Sequence, residues 1–306
     1  MKKTKKIIGI VLAAAVGISS LAAGASVYAD SETTSVQKHV VVLDPGHGGG
    51  ESGASAVYKG KVYREEEINW KIANYTMQAL SKENNIEVYL TKSQNETKGL
   101  SERVMIAKQY HADLLVSQHI NDSESSSPNG ASVMISKGTY RPKLAVQEKL
   151  FCSYVGEELK KLGLRIRVPE TKGMEYRMSE SGSKYPNGKP RDYYGIVAQS
   201  VEANIPGVII EHAFISNRSD VTRFLSSNAK LKKIGQADAN AIVRYCKQLP
   251  DKVITETPTP TPTPVPSEPE KFWKEKNGAY YYYIKGKVQK NKILTLEAGN
   301  YYGDNT

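Results

Sequence analysis

The sequence predicts an α/β protein with a mixed or mostly parallel central sheet flanked by helices. Three observations carry that prediction. Short apolar runs with strand character alternate along the chain with longer segments of helical period. Several of the apolar runs end on a polar residue, as buried strands do where they leave a sheet. A proline-rich stretch closes the pattern after about 220 residues, enough chain to bury one substantial core.

The elements follow in order. His39 to Leu43 is a buried strand that ends at Asp44-Pro45-Gly46. Glu65 to Leu80 is a helix, with Ile68, Ile72, Tyr75, Ala79 and Leu80 on one face. Ile86 to Thr91 is a strand and Leu100 to Tyr110 a helix. Asp113 to Gln118 is an apolar strand that leads straight into His119. Ala131 to Ser136 is a further strand, and Lys143 to Leu162 a long amphipathic helix. Gly207 to Ile210 is a short buried strand that delivers Glu211, and helices follow at Asp220–Leu225 and Ala237–Leu249. The stretch from Pro169 to Pro190 fits neither period. Its length and its Ser, Gly, Lys and Glu content fit either a rim or lid of an active site or a plain surface excursion.

The two ends of the chain differ from this body. Residues 1–29 have the order of a secretory signal: a basic start through Lys6, an apolar run from Ile7 to Ala23, and the cleavage-like triplet Val27-Tyr28-Ala29. No second apolar run of comparable length follows, so no membrane span is expected after cleavage. Residues 38–250 form the expected catalytic body, 251–270 a Thr/Pro linker and 271–306 a Tyr-rich tail. The alternating prolines from Thr257 to Pro266 lack backbone donors and favour an extended, semi-rigid spacer.

Charge and cysteine usage narrow the function classes. Removing residues 1–29 takes away four lysines and no acid, lowering the formal charge from +10 to +6. That modest excess suits anionic polymers, and export favours those of the cell wall. No zinc-finger spacing, RNP-like motif or dense Arg tract points to nucleic acid. Cys152 and Cys246 lie in helical patterns and are read as two buried thiols rather than a bridge; neither sits in a nucleophile motif.

Three strand ends carry chemistry: His47 in Asp44-Pro45-Gly46-His47-Gly48-Gly49, His119 after the strand ending at Gln118, and Glu211. In open α/β sheets, sites form at the carboxyl ends of strands, so positions far apart in sequence can converge. Two histidines and a carboxylate suit zinc, Zn2+, which accepts imidazole and carboxylate ligands. At this level Glu211 is one possible ligand, and the run Glu65, Glu66, Glu67 is also what the first turn of a helix favours electrostatically. His39, His111 and His212 are read as structural or supporting, His111 at a helix C-terminus and His212 pointing away from Glu211 if the strand continues.

These motifs resemble the zinc-dependent N-acetylmuramoyl-L-alanine amidases, the type 3 amidase family that cuts peptidoglycan. The family's strand followed by DPGHGG matches Leu43 to Gly49, its S-x-H-x-N matches Ser117, His119 and Asn121, and its E-x-x-F-x-S-N matches Glu211, Phe214, Ser216 and Asn217. Its ligand-bearing helix start matches Glu65 to Ala73. Glu51, Lys92 and Asn95 depart mildly from the pattern and touch no ligand position. The resemblance implies a zinc-exopeptidase-like amidase fold, with His47, Glu65 and His119 as metal ligands and Glu211 as the acid–base group. It implies cleavage of the amide between muramic acid and L-alanine, with Asn121 and Arg191 as candidate substrate-binding residues and a secreted, wall-associated enzyme. The tail, with Phe272, Trp273 and Tyr280 to Tyr283, looks like a partial cell-wall-binding repeat whose aromatic faces could hold wall polymers, or else a Tyr-rich tail without a ligand. A zinc peptidase acting on wall peptides and a non-catalytic wall-binding protein are the competing classes; the intact His47, Glu65, His119 and Glu211 oppose the second.

Overall fold

The computed structural model describes residues 34–255 and the strand residues 271–276, 279–284, 287–288, 293–296 and 299–302. Residues 1–29, expected to be a secretory signal, and the Thr257–Pro266 run lie outside the described residues. The contacts divide the chain into two units, Ser35–Ile254 and the remainder.

In the larger unit, β1 (Thr34–Gln37) precedes β2 (His39–Pro45), the hairpin β3 (Ser55–Tyr58) and β4 (Lys61–Arg64), and helix α1 (Glu65–Leu80). There follow β5 (Ile86–Leu90), α2 (Leu100–Gln109), β6 (Leu114–Asn121), β7 (Ser132–Met134) and α3 (Pro142–Lys161). Then come β8 (Met174–Glu175), α4 (Gly195–Glu202), β9 (Gly207–Phe214), a short turn α5 (Arg218–Asp220), α6 (Asn228–Cys246) and β10 (Lys252–Thr255). The main sheet has six strands in the order β5-β2-β6-β9-β7-β8. β5, β2, β6 and β9 run parallel, β7 is antiparallel to β9, and β8 is parallel to β7. The expected mixed, mostly parallel sheet is therefore present.

Period-2 geometry splits each central strand between two cores. Val41, Leu43, Leu114, Val116, Val208 and Ile210 face α1, α3 and α6. Val40, Val42, Leu115 and Ile209 face α2 and α4. Burial on both faces explains why β2 is buried along its whole length. Because the neighbouring strands β2, β6 and β9 run parallel, their carboxyl ends lie together at one end of the sheet.

Several boundaries differ from the sequence reading. Helix α1 spans the expected residues, but β6 runs on through His119 to Asn121 and β9 through Glu211 to Phe214, so both residues lie within strands. Asp220–Leu225 is not one α-helix: α5 passes into a π-helical turn at Val221–Leu225. Helix α6 begins at Asn228, well before the expected Ala237. The Pro169–Pro190 excursion holds a 3-10 turn at Pro169–Thr171 and strand β8, and extends the sheet at its edge. Both cysteines are free and buried, and burial pushes each thiol up to about 12.

In the smaller unit, β11 (Lys271–Lys276), β12 (Ala279–Ile284) and β13 (Lys287–Val288) form an antiparallel meander in which Trp273 lies opposite Tyr282. β14 (Ile293–Leu296) and β15 (Gly299–Tyr302) form a second antiparallel pair.

Candidate active site

The site is built on a turn that few residue types permit. After β2, His47 adopts φ +59°, followed by Gly48 at +108° and Gly49 at +64°. The left-handed region costs an L-residue with a side chain about 1 kcal/mol, so His47 is held there by its surroundings. Gly46 is required for a different reason: a Cβ at that position would lie 2.3 Å from Cε1 of His119. Gly53, at φ +64°, would place a Cβ 2.6 Å from Oε2 of Glu65 and 2.7 Å from Cδ2 of His47. Both glycines let main chain and ligand side chains pack closer than alanine allows.

Glu65, the first residue of α1, sits between the two histidines. Its Oε2 lies 3.2 Å from His47 Nε2 and its Oε1 lies 3.0 Å from His119 Nδ1. The two rings meet edge-on, with centroids 4.9 Å apart. The backbone N–H groups of Ala54 and Ile120 donate to the same carboxylate at 2.9 and 3.1 Å, and Asn69 Nδ2 at 3.3 Å. Burial alone would push this carboxyl up, but the hydrogen bonds from His119 and His47 outweigh it and hold Glu65 well below the usual carboxylate range. Glu67 pairs with Arg64 instead, so of the three adjacent acids Glu65 alone joins the histidines.

One ligand atom from each of His47, Glu65 and His119 lies within 4.8 Å of the others, so the group could hold a metal ion. Two imidazole nitrogens and a carboxylate oxygen, turned inward with the carboxylate kept ionised, form a donor set that zinc accepts.

Glu211 stands opposite His119 in the parallel β6–β9 register. Its Oε2 is buried without a hydrogen-bond partner, and Glu211 makes no ion pair among the described residues. Burial pushes its carboxyl up to about 7, only partly offset by the positive pull of His119. Buried carboxyl oxygens ordinarily have a hydrogen-bond partner, and Glu211 Oε2 has none among the described residues.

His212 points to the opposite face, as a continuing strand requires. Its Nδ1 lies 3.0 Å from the His119 carbonyl and its Nε2 2.9 Å from Asp238 Oδ2, which also accepts from Gln118 at 2.6 Å. His39 opens β2, and His111, at φ +52°, follows the last turn of α2. Asn121 ends β6, where its side chain accepts from the Asp122 N–H at 2.8 Å. Arg191 makes two hydrogen bonds to Glu202, at 2.9 and 3.1 Å, and is not among the residues lining the cavity beside the histidines.

That cavity, about 330 Å³, is bordered by His47, His119, Asp44, Arg103, Tyr194 and Ile209. No residue of the 169–190 excursion lines it. A larger groove, about 990 Å³, runs along α2 but contains none of the converging ligands. Sequence reasoning missed Asp44, Arg103 and Tyr194 as parts of the site. A signal existed for Arg103: it falls on the buried stripe of α2 beside Val104 and Ala107, where a charge needs a partner. Tyr194 carried no such signal.

Comparison with known proteins places this geometry among relatives. Residues 41–244 match the family model described as N-acetylmuramoyl-L-alanine amidase. The chain is 40% identical over 94 residues to the N-acetylmuramoyl-L-alanine amidase AmiC of Escherichia coli O6:H1, an alignment covering 31% of this chain and 22% of that protein. It is 30% identical over 206 residues to the N-acetylmuramoyl-L-alanine amidase LytC of Bacillus subtilis, covering 67% of this chain and 35% of that one. Thus it spans well under half the length of these two relatives. Among solved structures it resembles the catalytic domain of CwlV, an N-acetylmuramoyl-L-alanine amidase from Bacillus (Paenibacillus) polymyxa var. colistinus. That likeness has 26% identity and a TM-score of 0.50, and covers 68% of this chain and 98% of the other.

Proposed function

The chain belongs to the N-acetylmuramoyl-L-alanine amidase family, and from that premise we propose that it is a secreted, zinc-dependent hydrolase. Its substrate is the peptidoglycan amide that joins muramic acid to the L-alanine of the stem peptide. The observation that carries the reading is the unpartnered Glu211 carboxylate, in register with His119 and beside the converging His47, Glu65 and His119.

In this reading His47, His119 and the Glu65 carboxylate would hold the zinc. Zinc held by three protein ligands would make water a nucleophile near neutral pH and would polarise the scissile carbonyl. The chain's own residues do the rest. Glu211 takes a proton from the attacking water as its oxygen bonds to the amide carbon. It then delivers that proton to the leaving nitrogen as the C–N bond breaks. A carboxyl at about 7 suits both halves of this exchange. Asn121, at the end of β6, and Arg191 are the candidates for holding substrate; the ion pair with Glu202 makes Arg191 the weaker of the two.

Secretion fits the signal-like residues 1–29. Among the described residues no helix is long and apolar enough to cross a membrane. The tail strands, rich in Tyr, are assigned to wall-polymer binding.

Digestion of purified peptidoglycan, with and without chelator and followed by mass analysis, tests the whole reading. Free L-alanine amines and intact muramic acid are expected, and only without chelator. Cleavage inside the stem peptide would make the chain a zinc peptidase instead. Full activity after exhaustive chelation would remove the metal from the mechanism.

A further inference from the structure

The side chain of His47 is aimed at Glu65, but nothing in its own side chain explains why its main chain stays in the left-handed region. One set of hydrogen bonds on that main chain comes from α2. Arg103 is only 3% exposed and Asp44 only 1%. Arg103 Nη1 donates to Asp44 Oδ1 at 2.8 Å and to the Pro45 carbonyl at 3.0 Å; Nη2 donates to the His47 carbonyl at 3.2 Å. Its Nε closes the fork on the Lys98 carbonyl at 2.9 Å. Among the described residues, Arg103 is the sole donor to the His47 carbonyl.

Asp44 is itself fixed to the sheet. Thr91, just past β5, donates to its Oδ1 at 2.5 Å, and Ser117, in β6, donates to its Oδ2 at 2.6 Å. The guanidinium is thus anchored at one end by a carboxylate of β2 that is tied to β6 and to the residue following β5. At the other end it reaches over the turn to the carbonyls on both sides of Gly46. Planarity and five donors suit arginine to this task; lysine offers one compact ammonium.

We infer that Arg103 is a positioning residue for the metal site. By holding the Pro45 and His47 carbonyls it keeps His47 Nε2 turned toward Glu65 without help from the metal, and so sets the affinity for zinc. The inference rests on the reading of His47, Glu65 and His119 as metal ligands.

The test measures the Zn2+ dissociation constant of the full chain by competition with a chromogenic chelator, alongside circular dichroism and the unfolding midpoint of the metal-free protein. Arg103→Lys keeps a positive charge against Asp44 but cannot grip both carbonyls. The double variant Asp44→Asn/Arg103→Gln removes both charges together and leaves neither unpaired. Both are expected to keep the native circular dichroism and to bind Zn2+ at least ~10-fold more weakly, the usual range for groups that orient a ligand. Wild-type affinity in a folded variant, even with a lowered midpoint, would reduce Arg103 to a structural role and overturn the inference. Failure of both variants to fold would overturn it equally, because the residue would then hold the fold rather than the turn. If the wild-type chain itself binds no Zn2+, the metal reading fails first, and that result is distinct from an unchanged affinity in the variants.

Discussion

Glu211 and Glu148 are both carboxylic acids pushed up to about 7 by burial, and they differ in their partners. Glu211 Oε2 has no partner. Glu148, fully buried in α3, accepts from the Ser136 N–H and hydroxyl at 2.9 and 2.6 Å and from the Gly207 N–H at 3.4 Å. Substituting Glu211→Gln keeps the shape and removes the proton acceptor. Hydrolysis is expected to fall by about 10²–10⁴-fold while zinc content, measured by elemental analysis, stays at the wild-type level. For Glu148 the expected effect is on stability. A carboxyl raised in the folded state above its unfolded value of about 4.3 contributes stability that is complete below that value and is lost as pH rises through about 7. Glu148→Gln should therefore gain on the wild type between pH 5 and pH 8, by on the order of 3 kcal/mol. Unfolding midpoints of both proteins at the two pH values check this; a constant difference would show that Glu148 does not titrate in that window.

At the scale of elements, the same close-approach argument governs both the site and the core. Gly235 lies in the middle of α6, where alanine is intrinsically better by about 1 kcal/mol. A Cβ there would stand 2.9 Å from the Ile72 carbonyl and 2.7 Å from the Tyr75 Cβ, both on α1. Gly235→Ala is therefore expected to lower the thermal midpoint despite the gain in helix propensity, and a raised midpoint would refute the close packing of α1 on α6. The same glycine helps explain why sequence reasoning started α6 too late: Asn228 to Gln236 is Lys-rich and interrupted by Gly235, which weakens the apolar stripe. Strong periodicity served better elsewhere, and α1 was legible to the residue. The β3–β4 hairpin escaped because its strands have four residues each, and α4 because eight residues give barely two turns of period. Nothing local marks β7 as antiparallel, since strand direction is set by the route of the connecting chain. In the site, His47, His119 and Glu211 stood out as polar residues after apolar runs, although β6 and β9 continue past His119 and Glu211. Glu65 needed a family register to separate it from Glu66 and Glu67, and the Arg103 clamp joins parts of the chain 59 residues apart.

At the scale of the whole molecule, the two units allow the proposed wall-binding role of the tail to be tested apart from hydrolysis. A chain cut back to residues 34–255 is expected to cleave soluble muramyl peptides at the full-length rate but to sediment less with intact walls. Equal sedimentation would deny the tail a wall-binding role. The larger unit has one more property. Strands β1 and β10, its first and last, pair with each other in a two-stranded ribbon. Entry and exit of this unit are therefore neighbours, and little distance separates them. Joining residue 255 to residue 34 through a short Gly/Ser bridge and opening the chain at the exposed Gly182 should give a circular permutant with the same catalytic rate.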